Sequence, residues 1–204
     1  MELLLAILLF AVSTSITPGP NNIMIMTSGL NHGVKNSLPH LLGICFGFPV
    51  MVILIGLGIG VFFEIYPLFH EIIKIFGVIY LLYLSWLIAV SSPSSLESEI
   101  SKPFSFVQAA LFQWVNPKAW IMAAGAVSAY TTSSTDIFIQ VIYIALAFFV
   151  VSFPSVGVWL IFGAVLKKYL KSPKHQKIFN VTMALLLIAS VLPVLKELFD
   201  QYVD

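Results

Sequence analysis

Charge is scarce in this chain. Ten basic and nine acidic side chains in 204 residues make 9%, against about 25% in an ordinary soluble domain. All ten basic residues are lysine, so any bound anion is met by ammonium groups, polar side chains or backbone N–H groups and not by a bidentate guanidinium. The net charge of +1 leaves no basic face to neutralise a row of phosphates, which excludes a nucleic-acid partner. One cysteine, Cys45, lies inside an apolar run, and that excludes a disulfide framework or a cysteine-built zinc site. His32, His40, His70 and His175 stand apart, without ligand spacing. No metal and no cofactor is therefore expected.

Apolar sequence fills the space that charge leaves. The chain is 59% hydrophobic, with a mean hydropathy of +1.01. Residues 3–34, 36–63, 75–96, 119–135, 137–166 and 178–195 contain no Lys, Asp or Glu. About 20 apolar residues cross a hydrocarbon core, so the composition predicts an all-α polytopic protein whose solvent is the lipid bilayer. The first segment lacks the positive start of a signal peptide, its early charge being Glu2, and reads as a membrane span. Six spans are predicted near 3–28, 39–63, 70–90, 104–131, 137–165 and 177–195, the first and fourth interrupted. Residues 91–103 form a polar linker with six serines, two prolines and Glu97, Glu99 and Lys102. The linker separates a first three-helix unit, 1–90, from a second, 104–204.

Seven lysines fall on the connections after spans one, three and five, from Lys35 and Lys102 to the cluster Lys167, Lys168, Lys171, Lys174 and Lys177; Lys74 and Lys196 fall on the other side. The positive-inside rule makes the first set, and the linker, cytoplasmic and puts both termini outside. The two units also resemble each other: KIFGV from Lys74 matches KIFNV from Lys177, Phe48-Pro49 matches Phe153-Pro154, and Pro18 matches Pro117, at offsets of 103, 105 and 99. With three spans per unit the repeat is inverted, an arrangement that secondary transporters use for alternating access.

Each unit breaks its first span. Thr17-Pro18-Gly19-Pro20-Asn21-Asn22 removes two backbone donors and the steric restraint at Gly19, so a helix ends and another restarts within an apolar segment. In the second unit, Gln113-Trp114-Val115-Asn116-Pro117-Lys118 places an N-cap residue before a proline at the first helical position. Such breaks are tolerable in a bilayer only against protein or a wet cavity. Two half-helix N-termini meeting near mid-membrane suit a small carboxylate. Asn21, Asn22, Gln113, Gln108 and Asn116 supply carboxamides for an ammonium or a polar side group. Lys118 has two readings, snorkelling to the interface or meeting a substrate carboxylate. Pro49 and Pro154 have two as well, as hinges or as parts of close helix contacts, and the Gly43, Gly47 and Gly56, Gly60 patterns permit helix association within one protomer or between two copies in a homo-oligomer.

The paired motifs, Thr17-Pro18-Gly19-Pro20-Asn21-Asn22 and Asn116-Pro117-Lys118-Ala119, resemble the signature of the LysE/RhtB family of bacterial amino-acid exporters, and the likeness extends over the chain. Asn21-Asn22, Lys102-Pro103 with Ser105-Phe106, and Phe112-Gln113 before Val115-Asn116 resemble the branch that exports cysteine and O-acetylserine. The resemblance implies efflux of an amino acid across the bacterial inner membrane, driven by protons. Many members have Asp where this chain has Asn21, and no acidic residue lies deep in a predicted span, which leaves Lys118, His40, an outer-end acid or uncoupled facilitation. A channel would require a filter built from several subunits. An intramembrane enzyme would require a nucleophile with a base, paired aspartates or a metal cluster, and the spans contain none of these.

Overall fold

The computed structural model describes residues 2–59, 65–90, 102–132, 136–170 and 172–203, and among these there is helix and no strand. The helices are α1 (Glu2–Ile16), α2 (Pro20–Leu54, followed by a π-helical turn, Ile55–Ile59), α3 (Pro67–Val90), α4 (Phe106–Phe112, followed by a 3-10 turn, Gln113–Val115), α5 (Pro117–Tyr130), α6 (Ile137–Tyr169) and α7 (Pro173–Val203). Four stretches are long and apolar enough to cross a bilayer, Pro20–Ile59, Glu71–Val90, Ile137–Tyr169 and Pro173–Asp200; Leu3–Ile16 and Phe106–Val115 are shorter apolar helices. Most of the expected linker, 91–101, lies outside the described residues.

Local chemistry sets the boundaries. Ser105 and Gln108 form a reciprocal capping box at the start of α4, with Ser105 N–H donating to Gln108 Oε1 at 2.9 Å. Gln108 lies exposed at this helix start and is not one of the residues that line the polar cavity described below. Asn116 caps α5 through Oδ1, which accepts from Lys118 N–H at 3.1 Å, with Pro117 at the first helical position as its sequence requires. Asp136 Oδ1 caps α6 by accepting from Phe138 N–H at 2.8 Å.

The longest helix departs from expectation. A straight helix of 35 residues would run about 52 Å, well beyond a core about 30 Å thick. Gly33, at φ 78 and ψ 173, is the one non-helical residue within α2. The polar connection expected over 29–38 shrinks to that single residue, because Gly29 and Leu30 are buried against α6 and keep the helix wound up to the turn. Pro49 and Pro154 sit inside α2 and α6 without any non-helical dihedral at either position.

Three apolar clusters hold the helices together. Ile7 and Ala11 of α1, Phe48 and Met51 of α2, Ala119 and Ala123 of α5, and Ile144 and Phe148 of α6 form the first. The second joins Ile23, Met24 and Met26 of α2 to α3 and α7 through Leu81, Leu84, Met183 and Leu187. Ile25, Leu41, Ile44 and Cys45 of α2 meet Ala109 of α4 and Leu160 of α6 in the third. Glycines set the closest crossings: Gly29 of α2 lies against the Leu160 carbonyl, and Gly163 of α6 against the Met26 carbonyl. Gly43 and Gly47 face α4, and Gly56 faces Val141. These glycines serve packing within the chain.

Candidate functional site

Helix α1 stops at Ile16 because Pro18 and Pro20 cannot continue it, and stopping leaves carbonyls without N–H partners. Side chains from three directions meet them. Thr17 Oγ1 donates to the Thr14 carbonyl at 2.9 Å. Asn22 Nδ2 donates to the carbonyls of Ser15 at 2.9 Å and Thr17 at 2.7 Å. Trp159 Nε1, from α6, donates to the Ile16 carbonyl at 3.1 Å. Lys118 Nζ, from the other break, donates to the Thr17 carbonyl at 2.6 Å, Thr17 Oγ1 at 2.8 Å and the Pro18 carbonyl at 3.3 Å. Every carbonyl from Thr14 to Pro18 thus accepts a hydrogen bond, and Lys118 adds a cation at a helix C-terminus, where the helix dipole favours one. These bonds to the opposite break are a contact that neither reading of Lys118 from the sequence includes.

The two breaks also meet through their carboxamides. Asn21 Nδ2 donates to Gln113 Oε1 at 2.8 Å, and Gln113 Nε2 donates back to Asn21 Oδ1 at 3.2 Å while reaching the Ala109 carbonyl at 2.9 Å. Gln113 is fully buried and Asn22 and Asn116 nearly so. At the second break, Trp120 Nε1 donates to the Trp114 carbonyl at 2.8 Å, so an indole supplies a missing donor at both interruptions.

A cavity opens between these groups. Gly19, Asn21, Asn22, Asn116 and Lys118 line it, together with Thr14 and Ser15 of α1, Ile44 and Phe48 of α2, Ala119 and Met122 of α5, and Ser152 and Val156 of α6. Its free space is about 30 Å³, room for a few waters, so a larger solute enters only if the helices part. Of the residues singled out in the sequence, these five share the cavity. Thr17, Pro18 and Gln113 touch its wall-forming groups through the hydrogen bonds above. Pro20 is buried at the start of α2, and Pro117 lines a separate apolar cavity with Trp114, Trp120, Val78 and Val194. Pro49 is buried and Pro154 exposed, both away from the cavity lining.

Thr14, Ser15 and Ser152 line the cavity without having been singled out in the sequence as lining residues. The run Ser13-Thr14-Ser15 inside an apolar span, just before the break, is the signal that finds the first two. The N-termini differ: Asn116 caps α5, whereas Gly19 precedes α2 in an extended conformation, with no side chain on its first N–H groups. Among the described residues no group of histidine, cysteine or acidic side chains is arranged to hold a metal ion.

Comparison with known proteins places this geometry in a lineage. The model of the LysE type translocator family matches residues 12–194, which include both breaks and every cavity-lining residue. The cysteine/O-acetylserine efflux protein of Escherichia coli (strain K12) is 28% identical over 189 residues, 91% of this chain and 94% of that protein. The protein of the same name from Shigella flexneri serotype 5b (strain 8401) matches with the same identity and coverage. No solved structure matches. The match spans most of the chain, and its residues build a polar cavity at two helix breaks: the chain belongs to the LysE type translocator family, and is a transporter rather than an enzyme.

Proposed function

We propose that this chain exports a small neutral amino acid, of the cysteine or O-acetylserine class for which its relatives are named, across the bacterial inner membrane by alternating access. The observation that carries this reading is the cavity to which both helix breaks contribute, walled by Asn21, Asn22, Asn116 and Lys118. In this reading the chain crosses the bilayer six times, with residues 2–32 and 106–130 as interrupted spans, and units 1–90 and 104–204 form an inverted pair. The packing supports it. Residues 34–54 lie along α4 as α6 lies along α1, and α3 packs on α7. Exchanging the units exchanges these contacts.

The substrate carboxylate sits at the uncapped start of α2, where the Asn21 and Asn22 backbone N–H groups and the helix dipole favour an anion, with the Lys118 ammonium beside it. The carboxamide oxygens of Asn21 and Asn116 take the substrate ammonium, and the Thr14 and Ser152 hydroxyls take a polar side group. Lysines 35 and 167 mark the cytoplasmic face, both termini are outside, and the proton gradient drives accumulation. In the observed conformation the cavity is too small for the substrate, so binding requires one side to open. Pro49 and Pro154 serve as hinges for that movement.

Counterflow tests the proposal. In proteoliposomes loaded with unlabelled O-acetyl-L-serine, uptake of labelled O-acetyl-L-serine saturates and accelerates with the internal load. Asn116→Ala lowers this flux more than tenfold per inserted molecule, although the lost cap costs only about 1 kcal/mol of stability. A linear flux that the internal load does not accelerate identifies a channel. Wild-type flux in Asn116→Ala overturns the site.

A further inference from the structure

Between the cavity and the Gly33 end of α2 the helices pack shut, and one residue in that packing is chemically out of place. His40 is 2% exposed, its ring centroid lies 5.2 Å from that of Phe104, and among the described residues neither Nδ1 nor Nε2 has a hydrogen-bond partner. Its neighbours along the helix, Leu41, Ile44 and Cys45, belong to an apolar cluster with Ile25, Ala109 and Leu160. The nearby Ser28 and Ser37 hydroxyls bond each other at 2.7 Å. A neutral imidazole carries one donor and one acceptor, and leaving each unmet in an apolar setting is costly. A leucine in its place would incur no such cost. The groups around His40 offer no relief to a charged ring either. His32 acts on it from the same helix, Lys167 of α6 lies beside His32 with Nζ on the Asn31 carbonyl at 3.3 Å, and Lys102 precedes Phe104 by two residues. All are basic, and among the described residues no carboxylate is one of the groups acting on His40.

We propose that His40 is a proton-operated release for this closure: a proton from solvent at the Gly33 face, bound at a ring nitrogen, drives the surrounding packing apart and opens the path to the cavity. The proposal rests on the alternating-access reading. In the closed state an imidazolium would be buried without a partner, whereas in the opened state water solvates it. The opened state therefore binds one proton more. Its population relative to the closed state rises as pH falls through the ordinary histidine range near 6.5, by up to about tenfold per pH unit. Closing returns the proton to the same face, so the device regulates opening without carrying protons across.

Cys45, the chain's single thiol, is fully buried in the same cluster and reports the opening. In sealed membrane vesicles, the rate of Cys45 alkylation by N-ethylmaleimide is measured for wild type, His40→Gln and His40→Leu at pH 7.5 and 5.5, each face acidified separately. Dividing the wild-type rate by a variant rate cancels the pH dependence of the thiolate. The ratio is expected to rise by up to about tenfold when the Lys167 face is acidified and to stay flat when the opposite face is. A ratio constant within twofold, or one that follows the opposite face, overturns the proposal. His40→Leu also melts at a higher temperature than wild type at pH 7.5; a lower value means that the ring is bonded in the closed state and overturns the release. If His40→Gln fails to insert, His40→Leu carries the comparison. No substrate enters the assay, so its failure is distinct from failed counterflow.

Discussion

Replacing Gly163 with alanine is expected to cost the protein about 3 kcal/mol of stability. The added Cβ would fall on the Met26 carbonyl oxygen, with the Met26 carbonyl carbon and the Leu30 nitrogen also within about 3 Å. All three are backbone atoms, so no side chain can rotate away, and α2 and α6 must separate at their closest crossing. Overpacking a core costs about 1–3 kcal/mol and occasionally more; a backbone clash between two helices belongs at the upper end. For a protein of this size about 3 kcal/mol corresponds to a fall in melting temperature of roughly 6–12 °C. Gly157→Ala is the control, since a Cβ there meets nothing within 4 Å on the same helix. Thermal scans of the two variants in detergent decide the matter: equal melting temperatures would mean that the helices are not held this closely.

The second large effect is at Lys118. Its ammonium ties the end of α1 to the start of α5 through Thr17 and Pro18. Hydrogen bonds to charged groups contribute about 1.5–3 kcal/mol, at the lower end here because the side chain is partly exposed. Lys118→Met keeps much of the volume and removes these donors, taking the ammonium from the Pro18 carbonyl and leaving the Thr17 carbonyl to Asn22 alone, so export per molecule falls at least about tenfold. Gly19→Ala reaches the same result by another route. A Cβ at Gly19 would stand 2.6 Å from Lys118 Cδ, and the flexible side chain relieves the clash by swinging off Thr17. The double variant is then no worse than Lys118→Met alone, as expected for two changes acting through one interaction. Additive losses in flux would show that Gly19 acts independently of the lysine.

How far the sequence exposes this architecture depends on the range of each interaction. Asn116-Pro117 announces its helix start because cap and proline act within three residues, and the break at Thr17-Pro18-Gly19-Pro20 is visible for the same reason. The turn at Gly33 is not. Asn31, His32, Lys35 and Asn36 look like a polar loop, and only burial of Gly29 against α6 keeps the chain helical through it. Partners of the broken backbone are also hidden. Trp159 reaches the Ile16 carbonyl across 143 residues and Gln113 reaches Asn21 across 92; periodicity places each on a helix without saying what it faces. Gln108 shows the opposite case, since a carboxamide near a break invites a place in the cavity while the structure sets it in a capping box with Ser105, outside the cavity lining. Gly43, Gly47 and Gly56 are legible as close contacts, though only the packed chain shows that their partners are its own helices; Gly60 lies outside the described residues.

Accessibility of one cavity position tests alternating access most directly. Ser152 is buried and lines the cavity; Ser152→Cys in a Cys45→Ala chain puts a single thiol there with little change in volume. An impermeant thiol reagent, applied to oriented vesicles from one face at a time, should reach position 152 from only one face when no substrate is present. O-acetyl-L-serine should slow that labelling, and turnover should allow labelling from the other face. Equal labelling from both faces without substrate, or labelling that substrate leaves unchanged, would contradict a cavity that opens to the two sides in turn.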